Sequence, residues 1–134
     1  MRILAVILTV TLAVPAMAGG AKAPEPGTSV EMPYLIAPII VDDRLVSYAY
    51  VSCKIVGVSP QAAIDIRLAT PFIQDAFVRD VNAASIGTAA DPSVVDQPAL
   101  AARLLADAKR IAGAAKVSDL KLIQVQIAQM RPSP

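Results

Sequence analysis

Two periodicities run through the chain, and they exchange near residue 58. Between Leu45 and Val56 the side chains separate on a period of two, as in a strand with two distinct faces, and an unbroken apolar run precedes them. Leu35-Ile36-Ala37-Pro38-Ile39-Ile40-Val41 is apolar and mostly β-branched, and Pro38 restricts it to an edge or to the strand's start. Asp42-Asp43 marks a turn, and a long strand from Leu45 to Val56 follows, ended by Gly57. Leu45, Ala49, Val51, Cys53 and Ile55 share one face, with Ser47 as its polar exception. Val46, Tyr48, Tyr50, Ser52, Lys54 and Val56 share the other. The first face reads as core and the second as amphipathic, so the two segments are expected to form a hairpin.

From Ser59 the spacing becomes helical. Ser59-Pro60 is an N-cap and first-turn pair, and it predicts a short helix over Pro60–Leu68 that packs through Ile64 and Leu68. Thr70-Pro71 repeats the signal and predicts a second helix, with Ile73, Phe77 and Val81 on one face. Residues 82–96 contain Gly87 and Pro92 and read as a loop. Asp96 then caps a third helix, Gln97–Ala112, with Leu100, Leu104, Ala108 and Ile111 inward. Lys109 and Arg110 suit its C-terminal dipole, and Gly113 ends it. Period two returns at the end, where Ile123, Val125 and Ile127 alternate with Gln124, Gln126 and Ala128. The expected order is β-β-α-α-α-β, an α+β domain with helices on one face of a small mixed or antiparallel sheet. In that arrangement Leu100, Leu104 and Ile111 should pack against Ile123, Val125 and Ile127.

The two ends read differently from this body. Residues 1–18 combine Arg2, an apolar stretch from Ile3 to Val14, the helix breaker Pro15 and the small-x-small site Ala16-Met17-Ala18. That is the pattern of a cleavable signal peptide, on which the protein is periplasmic. An uncleaved inner-membrane anchor facing the periplasm is the alternative, although the apolar run is short for a span. Residues 19–33 are rich in Gly and Pro and read as a flexible linker, residues 34–130 as the folded domain, and residues 131–134 as a tail.

Composition narrows the chemistry. The 134 residues include one Cys and no His, which excludes a His-based triad, a His-ligated metal and a disulfide framework within one chain. Twelve basic residues stand against eleven acidic ones, and removal of Arg2 with the signal leaves the two counts equal, so no nucleic-acid partner is expected. Asp42-Asp43 offers too few oxygen ligands for a cation site and reads as a turn. Asp75 and Arg79 are spaced for a helix-surface ion pair. Ser52 and Lys54 share a strand face and could formally make a dyad, but such spacing is common on a solvated strand. Cys53, among Val51 and Ile55, reads as a buried inert thiol rather than a reactive one. No catalytic, cofactor or metal site is assigned, and a non-enzymatic role is expected. The best candidate for an interaction face is Val46, Tyr48, Tyr50 and Val56, because Tyr joins broad contact area to a polar tip.

The segment Pro71-Phe72-Ile73-Gln74-Asp75-Ala76-Phe77-Val78 resembles the Pro-x-Ile-Arg-Asp-Ala-Ile helix of the flagellar basal-body-associated FliL family. The helix Leu100–Ile111 and the strand Val117–Gln129 continue the similarity, which spans about residues 35–129. The resemblance implies a stomatin-like periplasmic domain that acts by binding. Its implied partners are flagellar stator components, with further copies of the chain beside them. A free periplasmic module for a small ligand or lipid is the alternative.

Overall fold

In the computed structural model residues 27–130 are described, and they form β1 (Ser29–Glu31), β2 (Leu35–Val41), β3 (Arg44–Gly57), α1 (Pro60–Ala83), α2 (Gln97–Ala112) and β4 (Val117–Gln129). The fold is the expected α+β class: an open antiparallel sheet of four strands with two helices. The expected signal peptide, the first part of the expected linker and the tail lie outside the described residues.

The fourteen residues of β3 form the spine of the sheet. β4 runs antiparallel along one side, from Ser47↔Gln129 to Gly57↔Val117. The other side is shared: β2 covers the first half, from Val41↔Arg44 to Leu35↔Val51, and β1 covers the far end, from Glu31↔Lys54 to Ser29↔Val56. The Met32 N–H donates to the Cys53 carbonyl at 3.0 Å between them, so β1 and β2 form one interrupted lane. The expected hairpin is present. Val41 pairs with Arg44 across Asp42 and Asp43, whose φ values of 51° and 61° are the left-handed pair required by a two-residue turn.

Strand β1 corrects the linker boundary, because residues 29–31 are part of the sheet rather than of a flexible lead-in. Val30 and Met32 are buried in the core. Two apolar side chains among polar ones give little periodic signal. The demand comes from β3, whose far end would otherwise carry unpaired backbone groups on that side.

The expected pair of helices is one helix. Ser59 caps it as anticipated, its Oγ accepting from the Ala62 N–H at 3.1 Å. Pro71, however, lies inside, and the Thr70 hydroxyl donates back to the Ile66 carbonyl at 3.3 Å instead of capping a new start. An internal proline costs about 3 kcal/mol. Burial offsets it, because Ala62, Ala63 and Ile66 before the proline share a face with Ile73, Ala76, Phe77 and Val81 after it. A break at Pro71 would dismantle that stripe. Ile64 and Leu68, expected inward, are exposed; Ala63 and Ile66 do the packing. The helix comes close to the end of β3 at this point, where a Cβ on Gly57 would lie 3.0 Å from the Ala63 backbone nitrogen.

α2 has the expected limits and caps. The Asp96 carboxylate accepts from the Ala99 N–H at 3.1 Å, and Gly113 adopts φ 110°. Leu100, Leu104 and Ala108 are buried, with Ile111 half-buried. Between the helices the loop is pinned by buried Ile86 and Val95 and by a bridge between Gly87 and Val95. Its tip is shaped by Asp91, whose carboxylate accepts from the Ser93 backbone and hydroxyl and is thereby held below the usual range.

β4 departs from the expected packing. Its buried residues are Val117 and Leu120, with Leu122 and Val125 half-buried against the core, while Ile123 and Ile127 are exposed. Ser52 pairs with Gln124 and Cys53 with Leu122, so Ile123 is left over in a bulge. Length explains Ile127: thirteen strand residues reach about 43 Å, and sixteen helical residues only about 24 Å. The strand outruns its cover.

Candidate interaction face

The helices lie on one side of the sheet, against Leu35, Ala37 and Ile39 of β2 and Ala49, Val51, Cys53 and Ile55 of β3, all of which are buried. Alternation therefore turns the remaining strand positions to the opposite, uncovered side. The register groups them into rows across three lanes. Ile36, Tyr50 and Gln126 form one row, and Pro38, Tyr48 and Ala128 form the next. Ser52 and Gln124 pair in a third row, and Glu31, Lys54 and Lys121 make a charged row beyond it. The face is apolar and aromatic at the hairpin end and charged at the other.

The four residues expected on this face separate. Tyr50 is 39% exposed, and Tyr48 beside it is half-buried. Val46 is also exposed, but it has no partner in β2, since Ile39 pairs with Ser47 and Ile40 with Leu45. Val56 leaves the set, being only 7% exposed. It lies in the central lane between Ser29 and Asp119, beside a second irregularity that leaves Ser118 unpaired and lets its hydroxyl donate to the Val56 carbonyl at 3.1 Å. Ile36 and Pro38 take its place. They were hidden within an unbroken apolar run, where Pro38 was the one sign that its lane is an edge.

The remaining candidates behave as structural groups. Cys53 is buried, and burial pushes its thiol up to about 11, which keeps it protonated at neutral pH. Ser52 and Lys54 are half-buried neighbours on the outer face. Asp75 and Arg79 form the expected exposed pair at 2.9 Å. Asp42 and Asp43 build the turn.

A further group was not legible in the sequence. Arg103 of α2 reaches the end of α1, where its Nε donates to the Asp80 carboxylate at 3.0 Å. Its other nitrogens donate to the carbonyls of Asp80 at 3.0 Å, Ser85 at 2.8 Å and Ala84 at 3.3 Å. α1 has neither a basic last turn nor a capping glycine, so a guanidinium from the neighbouring helix supplies the cap. Nearby, burial raises the Asp107 carboxyl, with a weak contact from Arg110 at 3.3 Å opposing it. This cluster ties helix to helix.

An open cleft of about 440 Å³ lies between the hairpin and the end of α1, lined by residues including Pro38, Ile40, Asp42, Val81 and Ser85. Among the described residues no helix is long and apolar enough to cross a membrane. Neither any protein-family model nor any curated protein matches the chain. The arrangement of the sheet therefore carries the functional reading.

Proposed function

We propose that this chain is a non-catalytic, exported interaction protein whose uncovered sheet face docks a protein partner. The observation that carries the reading is the exposure of Ile36 and Tyr50, in register beside half-buried Tyr48, on the side of the sheet that neither helix packs against. Exposed contiguous apolar surface of this kind is characteristic of interaction sites, and tyrosines supply contact area at low entropic cost. The resemblance of residues 35–129 to the FliL family supports a place at the flagellar motor, with stator components as the partner. Export through residues 1–18 is part of the same proposal, and it would put the domain on the periplasmic side.

Deletion of the gene tests the flagellar assignment. Swimming should be impaired, most of all in viscous medium, and restored by the wild-type chain. Normal swimming of the deletion strain in both media contradicts the assignment. The free ligand-binding module would then be the better reading, with the cleft between hairpin and α1 as its candidate pocket.

A further inference from the structure

The two edges of the sheet are guarded unequally. The β1–β2 edge is interrupted at Pro33 and carries Pro38 within β2, and both prolines remove a donor that a new strand would need. β4 forms the other edge over thirteen residues, without a proline. From Leu122 to Met130 it has no charged residue. Ile123 is 52% exposed and Ile127 40%. A long, uncharged, partly apolar edge presents open backbone donors and acceptors, and proteins normally cover such a strand.

The sequence of that edge specifies its cover. Ile123-Gln124-Val125-Gln126-Ile127 reads the same in both directions. We propose that β4 pairs antiparallel with β4 of a second copy about a two-fold axis through Val125. In that register Val125 opposes itself, Gln124 opposes Gln126, and Ile123 opposes Ile127. A two-fold interface must match a surface to itself, and the palindrome meets that condition in its regular part, Gln124 to Gln126, with the bulge at Ile123 setting the limit of regular pairing. On the helix side, exposed Ile127 and half-buried Val125 would gain apolar neighbours. On the outer side, the glutamines would pair through their amides. Lys121 would meet Gln129, so the register brings no like charges together. Two three-lane sheets would then join, and the Tyr48 and Tyr50 faces of both copies would become one surface. The pairing does not depend on what that surface binds.

The test is the mass of the purified protein by sedimentation equilibrium, with two variants built on exposed outer-face positions. Wild type should sediment at twice the mass of one chain. Gln124→Lys with Gln126→Lys places lysine opposite lysine twice across the axis, and should raise the dimer dissociation constant about tenfold or more. Gln124→Lys with Gln126→Glu places each lysine opposite a glutamate, and should restore the dimer while leaving the melting of the fold unchanged. A wild-type chain that stays at single mass up to high micromolar concentration overturns the proposal. So does a dimer indifferent to the paired lysines, or one that the lysine–glutamate variant fails to restore.

Discussion

Ala49 and Tyr50 are adjacent in β3, and they live in different environments. Ala49 is fully buried beneath the helices with Val51 and Cys53, whereas Tyr50 stands on a face that no element of the described chain covers. One peptide unit separates the half of the strand that holds the fold together from the half available for binding. The contrast comes from topology: both helices follow β3 in the chain, and both return to the same side of it. The inner face should thus answer to stability and the outer face to partners. Each half can be challenged separately.

The largest effect should come from the helix layer. Leu104 is completely buried, so Leu104→Asp would place an unpaired carboxylate in the core. We expect a loss of about 3–5 kcal/mol, a large part of the roughly 5–15 kcal/mol that stabilises a domain of this size. Gln126→Asp, on the exposed outer face, should cost no more than about 0.5 kcal/mol. Thermal melts of the two variants compare the faces directly, and equal losses would erase the distinction.

Alkali probes the same inner face without a charged substitution. The Cys53 thiol is raised by burial from 9.0 to about 11 in the folded chain. Between those values the native state holds a proton that the unfolded state has released. Stability is therefore fully present below pH 9 and falls as the pH rises toward 11, by on the order of 2–3 kcal/mol. Denaturant titrations across this range should show the slope, and Cys53→Ala should remove that share of it. A wild-type slope that survives the substitution would place the titration elsewhere.

A smaller effect is expected where the two helices meet. Arg103→Ala removes the donors that satisfy the carbonyls of Asp80, Ala84 and Ser85 and leaves the Asp80 carboxylate half-buried without its partner. The pair is only partly exposed, and a loss of about 1–2 kcal/mol is expected. Amide exchange should accelerate in the last turn of α1 and not in β3. Uniform acceleration would mean that the cap supports the whole fold rather than one end of its cover.

Much of this architecture was legible in the sequence, where a single residue had a single physical use. Asp42-Asp43, Ser59-Pro60, Asp96 and Gly113 each marked a boundary that the structure keeps. Alternation along β3 separated its faces correctly from Ser47 to Ile55. Failures came where distant contacts outvote local signals. Pro71 has a local meaning, helix start, but a buried stripe on both sides keeps α1 continuous. Val30 and Met32 are too few to show a period, yet β3 needs a partner at its far end. Bulges are invisible to periodicity, so Ile123 and Val56 were assigned to environments they do not occupy. The outer face was half visible: Tyr48 and Tyr50 were found, while Ile36 and Pro38 needed the register of β2 to join them.

The central claim, that the uncovered sheet face is where the protein binds, is open to one direct measurement. Tyrosine modification can be mapped by mass spectrometry on the purified protein and again on intact cells of its host. Tyr34, 66% exposed in the segment between β1 and β2, serves as the reactivity reference. In the purified protein Tyr50 should react readily and Tyr48 more slowly, as their exposures require. In cells both should be protected several-fold relative to Tyr34. Equal modification of Tyr50 in the two settings, normalised to Tyr34, would contradict the claim.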